Sequence, residues 1–285
     1  MICSLVIPRP VVVVWNFVYQ EAASCVFPGF IFAMLVFTKL VEVPGLPRYD
    51  FLLLGCILVQ AAMVWWWKVE TVDELKTITL FHAMAMAMEI YKVNLGSWAY
   101  SGEAYTKVFG VPLFAGFMYA SVGSYITQAW RRLHLRLENF PGSWVNWSFV
   151  VLIYANFYTN AFFYDLRWLI MAGLLVAYWR TRIFFTVYPP FAHVGHPKTS
   201  HPDAVPASTF WMPVLLGFFM VGLFIWFGEN LGTFLSAWQY PNQAGGWQFV
   251  PPSKLSSWFL LFIVSFVLIA QLKRVKALRG SNAER

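Results

Sequence analysis

Charge is scarce in this chain of 285 residues: 12% are Asp, Glu, Lys or Arg, against about 25% in ordinary soluble domains. A surface with so few charges would not stay hydrated, which excludes a free soluble globule. Cysteine is also sparse. Cys3, Cys25 and Cys56 are odd in number, widely spaced and free of any CxxC, so neither a disulfide framework nor a thiolate metal site is expected. The motifs GxxxxGK[ST], GxGxxG, HExxH and GxSxG are all missing, which argues against nucleotide-driven pumping and conventional hydrolysis. An arginine ladder of the voltage-sensor kind and a TVGYG filter are absent too. The opening "MICSLVIPRPVVVVW" has no basic region before its apolar residues and is interrupted by two prolines. It does not read as a cleavable leader, and the chain is taken as intact.

What the sequence does have is apolar length. Hydrophobic residues make up 59% of it, in several runs long enough, at about 1.5 Å per helical residue, to cross roughly 30 Å of hydrocarbon. The predicted class is an all-α integral membrane protein of about eight transmembrane helices. These fall near 22–42, 51–67, 75–93, 111–131, 147–164, 166–188, 211–237 and 255–273. Residues 10–22, with Asn16, Gln20 and Glu21, lie in the interface or extend the first span. Basic clusters at Arg131, Arg132 and Arg136, at Arg180 and Arg182, and at Lys273, Arg274, Lys276 and Arg279 all fall on one side of eight spans. That side is the cytoplasmic one and holds both termini. The net charge of +7 is then a partner of anionic lipid heads rather than of nucleic acid.

Two stretches match each other. In "MEIYKVNLGSWAY" and "GENLGTFLSAWQY", Glu89, Leu95, Trp98 and Tyr100 correspond to Glu229, Leu235, Trp238 and Tyr240 at a constant offset of 140 residues. Phe109 and Pro112 find looser counterparts in Phe249 and Pro251. The expectation is two parallel four-helix repeats, residues 1–140 and 141–285, related by a pseudo-twofold along the membrane normal. Both Trp-x-Tyr segments would lie on the outer face.

An ionised side chain at the bilayer centre costs at least ~2.5–3.5 kcal/mol, so polar residues within spans face the bundle interior or water and are functional candidates. Here they are Gln60, His82, Glu89, Lys92, Gln128, Asn156, Asn160, Asp165, Arg167, Glu229 and Asn230. His82 and Glu89 are two helical turns apart on nearly one face, and Lys92, one turn beyond Glu89, is placed to pair with it. Asn156 and Asn160 lie one turn apart beside Asp165 and Arg167, either as part of a convergent polar pocket or as the caps of a tight hairpin. The loop "FAHVGHPKTSHPD" brings His193, His196, His201 and Asp203 together in sequence, without a zinc spacing, and reads as solvated. "AMAMAM" at Ala83–Met88 reads as a packing surface that permits close helix approach.

With these residues in view, nearly the whole chain resembles the YoaT-like family of bacterial membrane proteins, also called domain of unknown function 817. The residues that carry the likeness are "MEIYKVNLGSWAY", "GVPLFAGFMYASVGSYI", "RYD" at Arg48–Asp50, "GENLGTFLSAWQYPNQ" and "KLSSW". The resemblance implies a multi-pass protein of a bacterial cytoplasmic membrane and no particular chemistry. A fainter similarity, through Glu89, Gly96, Tyr100 and Gly110–Leu113, is to the carotenoid hydratase and membrane lycopene cyclase group, which implies action on long polyenes. This chain departs from that pattern at Lys92 and in its second copy around Glu229.

Two functions follow as expectations. One is an intramembrane enzyme that hydrates, cyclises or isomerises an isoprenoid or lipid double bond. Glu89 and Glu229 would be its acid and base. His82, Asn156, Asn160 and Asn230 would orient water or substrate, and Trp98, Tyr100, Trp238 and Tyr240 would line the pocket and stabilise positive charge. This scheme calls for membrane lipid as partner and for no metal or organic cofactor. The other is a proton-coupled transporter or channel for a small solute, with the paired acids at the repeat interface.

Overall fold

Pro28 shapes the first bend of the molecule. A proline ring clashes with the carbonyl four residues earlier, here that of Ser24, so helix α1 (Arg9–Ser24) and helix α2 (Val26–Leu40) meet at 66° instead of forming one rod. The computed structural model describes residues 9–188 and 207–283. Next come α3 (Arg48–Ala61), which ends in a π-helical turn at Ala62–Trp66, and α4 (Val72–Asn94). Thr71 and Glu74 open α4 with reciprocal caps: the Glu74 N–H donates to Thr71 Oγ1 at 3.2 Å, and the Thr71 N–H donates to Glu74 Oε2 at 2.9 Å. A two-residue turn at Phe109 and Gly110, both with positive φ, joins strands β1 (Lys107–Val108) and β2 (Val111–Pro112). The chain continues through α5 (Phe114–Arg132), β3 (Arg136–Glu138), α6 (Ser143–Thr159), α7 (Arg167–Tyr178), β4 (Arg182–Val187), β5 (Ser208–Pro213), α8 (Val214–Phe234) and α9 (Lys254–Ala283).

The all-α expectation needs correction here. The helix predicted over 166–188 stops at Tyr178, and "RIFFTV" forms β4, the centre of an antiparallel sheet in the order β3-β4-β5. β-Branched and aromatic residues dominate β4, and such side chains pack well on a pleated surface. The helix predicted over 211–237 begins at Val214, because Pro213 ends β5 and stands at the cap position. The other predicted helices overlap α2, α3, α4, α5, α6 and α9, and the segment ahead of the first is the separate bent helix α1. Among the described residues three helices are long and apolar enough to cross a membrane, at 48–66, 214–234 and 254–274, or four if the bent pair counts as one.

Hydrogen bonds define two ends of the bundle. At one end Arg48, opening α3, reaches the carbonyls that close α8, and Arg167, opening α7, reaches Ser256 at the start of α9. At the other, Arg131 near the end of α5 pairs with Glu74 at the start of α4, Lys273 of α9 joins the same carboxylate, and Val214 donates to the Thr181 carbonyl. The described basic residues of all three clusters lie at this second end. Buried side chains gather in two cores. One joins α2–α5 to the 235–250 loop, and the other joins α6–α9 to the far half of α5.

Candidate functional site

Helices α4 and α8 end alike. After each, the chain turns through a left-handed residue, Gly96 (φ 73°) or Ser236 (φ 58°). The Ser97 N–H closes on the Lys92 carbonyl at 3.0 Å and the Ala237 N–H on the Gly232 carbonyl at 2.9 Å. This double closure satisfies the last carbonyls of each helix and turns the chain back across its end. The two returning segments then pair with each other. Ala99 and Gln239 exchange both N–H···O bonds at 2.9 Å in an isolated antiparallel bridge.

That bridge brings the aromatic residues of both segments over the ends of both helices, with each carboxylate beneath. Glu89, 2% exposed, accepts from Trp98 Nε1 at 2.7 Å, Tyr100 Oη at 2.8 Å and Tyr119 Oη at 2.6 Å. Glu229, 3% exposed, accepts from Tyr240 Oη and from Trp258 Nε1, the latter at 2.6 Å. The sets touch: the Trp98 and Tyr240 rings are 6.0 Å apart edge to face, and those of Tyr119 and Trp258 are 5.8 Å apart. The two carboxylates are thus linked through their donors, Trp98 against Tyr240 and Tyr119 against Trp258. Lys254 Nζ sits 4.6 Å from the Tyr240 ring centre and 5.7 Å from that of Trp98, a cation on two aromatic faces. Burial, with the neighbouring glutamate charges, holds the Tyr100 and Tyr240 phenols well above their ordinary range, so both remain donors.

The "RYD" triplet ties this cage to the bundle. Arg48 donates to the carbonyls of Leu35 (3.2 Å), Leu235 (2.9 Å) and Ser236 (3.1 Å), binding the last turns of α2 and α8 together. Tyr49 donates to the Ala237 carbonyl at 2.8 Å. Asp50 accepts from the Tyr105 N–H (2.7 Å), the Thr106 N–H (3.0 Å) and Thr106 Oγ1 (2.6 Å), fixing the loop that follows Tyr100.

Several sequence-predicted residues lie elsewhere. Lys92 does not bond Glu89; its Nζ donates to Asn160 Oδ1 at 3.0 Å, because three aromatic donors already occupy the glutamate. Asn156 serves the α6–α7 hairpin, accepting from the Leu166 N–H at 2.7 Å and donating to Asp165 at 3.2 Å. Asp165 also holds Arg167 Nε at 2.6 Å. Burial works against ionisation of Asp165, but the Arg167 N–H, the Asn156 amide and the Arg167 charge outweigh it and hold the carboxyl below its ordinary value. Asn230 braces the backbone, donating to the Trp226 carbonyl and accepting from the Val250 N–H. Trp238 packs over Gly232, where a Cβ would come within 2.3 Å of the indole. Trp258 takes the place at Glu229 that Trp98 holds at Glu89. His82 lies beside Phe117, ring centres 4.6 Å apart, away from the carboxylates. The loop from His193 to Asp203 lies outside the described residues.

Tyr119 and Trp258 escaped the sequence reading, although a signal existed. They follow Glu89 and Glu229 by 30 and 29 residues and begin the helix after each matched segment. Fold and site together define a helical protein, with several helices apolar enough to span a membrane, that buries two carboxylates in touching sets of aromatic donors. Residues 13–195 and 198–266 match the model of the family described as Protein of unknown function (DUF817), and the chain belongs to that family. It is similar to the Uncharacterized protein YoaT of Bacillus subtilis (strain 168), 44% identical over 269 residues that cover 94% of this chain and 95% of that protein. No solved structure matches the chain.

Proposed function

We propose that this protein is an intramembrane enzyme that adds water to, removes it from or otherwise rearranges a carbon–carbon double bond of an isoprenoid or other lipid. The observation that carries the reading is the pair of buried carboxylates whose indole and phenol donors meet ring to ring. Glu229, which receives one donor fewer, delivers a proton to an alkene carbon, and Glu89 removes one from the water that adds. Proton exchange between the two acids resets the pair. The surrounding faces stabilise the intermediate carbocation as two of them already hold Lys254.

Two finer features of the architecture belong to the same proposal. With α1 and α2 taken as one broken span, α2–α9 make eight passes with the described basic clusters at the cytoplasmic end. The matched helix closures and the reciprocal Ala99–Gln239 bridge support two units related by a pseudo-twofold axis through that bridge.

The test is lipid extraction from cells that carry Glu229→Gln or Glu89→Gln in place of the native chain. The expected result is loss of one lipid pool with accumulation of its alkene or alcohol precursor. Unchanged lipids together with altered uptake of a solute would overturn the enzyme in favour of proton-coupled transport.

A further inference from the structure

Helix α1 is built inside out for a surface helix. Its polar residues turn inward: Glu21 accepts from Tyr125 Oη of α5 at 2.9 Å, Gln20 Nε2 donates to the Tyr188 carbonyl just beyond β4 at 3.2 Å, and Asn16 and Ser24 are buried. Phe17 packs on Phe185 of β4, ring centres 5.3 Å apart. The opposite face carries Val11, Val14, Trp15, Val18 and Tyr19, each more than half exposed, and the exposed Ala22. Their spacing of three and four residues draws one continuous row down the helix, and the exposed Val26 extends it onto α2. No charged or amide side chain interrupts the row. A helix whose outer face meets water shows the reverse arrangement, with its polar side outward.

Geometry decides where such a row can lie. The 16 residues of α1 reach ~24 Å at about 1.5 Å each, short of the roughly 30 Å of hydrocarbon. The helix meets α2 at 66°, so with α2 crossing the bilayer α1 lies closer to the membrane plane than to its normal. Its contacts with β4 place it at the end of the bundle that holds Arg131 and Lys273. The composition of the row selects its occupant. Membrane helices that pack on one another use small residues or side chains that hydrogen-bond across the contact. Here the centre of the row is Val14, Trp15 and Val18, and Trp15 and Tyr19 are of the aromatic types that settle at the head-group boundary. We infer that α1 is an in-plane docking surface for lipid, the flat limb of the broken α1–α2 span. Its polar face is clamped to α5 and the sheet, and its apolar row rests in the acyl chains of the leaflet at the basic end. The inference stands on the membrane reading and is independent of the double-bond chemistry.

The experiment uses the full chain in vesicles of phosphatidylethanolamine and phosphatidylglycerol. Single nitroxide labels replace Val11, Val14, Trp15, Val18, Tyr19 or Ala22, one per variant, on a cysteine-free background, and their collisions with oxygen and with a water-soluble nickel chelate report depth. Oxygen is expected to be favoured over the chelate at every position. Depth is expected to change from residue 11 to residue 22 by less than half of the ~16 Å that this stretch would cover if it ran straight across the bilayer. A larger change makes α1 part of a straight crossing, and preference for the chelate puts the row in water; either overturns the assignment. A second arm keeps the native cysteines. Trp15→benzoylphenylalanine, illuminated in the same vesicles, is expected to gain the mass of a phospholipid, whereas a crosslink to a second copy of the chain overturns lipid as the occupant. The expected depths and lipid adduct, found together with unchanged cellular lipids in Glu229→Gln, would keep this surface and remove the enzyme.

Discussion

At the scale of single residues, the two glutamates resemble structural anchors as much as reagents, and the balance of their partners predicts how each substitution behaves. Glu89→Ala leaves the buried Trp98 and Tyr100 donors and the half-buried Tyr119 without an acceptor, at about 1–3 kcal/mol each for the buried ones. That is a large share of a typical stability of roughly 5–15 kcal/mol. Tyr119→Phe removes only one donor. Thermal unfolding in detergent should therefore rank native above Tyr119→Phe above Glu89→Ala. Glu70 gives a separate, pH-dependent prediction. Burial pushes its carboxyl above the ordinary value of 4.5, against the opposing bonds from Ser124 and Gln60. The folded state therefore binds its proton more tightly than the unfolded chain, so stability is fully present below pH 4.5 and declines as pH rises from there through the folded-state value. Glu70→Gln should flatten that decline in a Tm-against-pH series. The paired glutamates, His82 and the Trp-x-Tyr residues were legible in the sequence as polar or aromatic breaks in apolar runs. Glu70 was not, because it falls in the gap between two predicted spans, where a carboxylate looks ordinary.

At the scale of elements, helix ends carry most of the specificity. Three carbonyls at the last turns of α2 and α8 converge on the Arg48 guanidinium, a planar fork that lysine cannot imitate. Arg48→Lys is expected to lose nearly as much stability as Arg48→Ala, on the order of 1–3 kcal/mol. Equal Tm for Arg48→Lys and the native chain would show that charge alone suffices. Apolar periodicity located α2–α6 and α9 but misread 166–188, because a short run of β-branched and aromatic residues cannot be told from buried helix by hydrophobicity alone. "RIFFTV" becomes a strand because two neighbouring segments are there to pair with it, and pairing across long separations leaves no local trace. The exchange of Lys92 from Glu89 to Asn160 has the same origin: one-turn spacing permits a pair, and Tyr119 from another helix takes the position.

At the scale of the whole molecule, the carboxylate cage and the described residues of the three basic clusters, Arg131 and Lys273 among them, occupy opposite ends of the bundle. In the eight-pass reading the cage is near the outer face. On a cysteine-free background, Ser101→Cys should react with a membrane-impermeant maleimide in intact cells, and Glu138→Cys only after permeabilisation. Labelling of both, or of Glu138→Cys alone, would reverse or refute that orientation. The offset of 140 residues was visible in the sequence because the aromatic spacing is rigid on both sides. That the two matched segments clasp each other through the backbone of Ala99 and Gln239 was not visible, since main-chain bonds leave no mark on composition.

The Ala99–Gln239 ribbon has an evolutionary corollary. Within the two-unit reading, positions along the symmetry axis face their own equivalents, so a half-length ancestor would have closed the same ribbon by associating with an identical chain. Glu89 and Glu229 would then descend from one carboxylate met twice. The extra tyrosine on one side and the lysine on the other would record how fusion allowed the two to diverge.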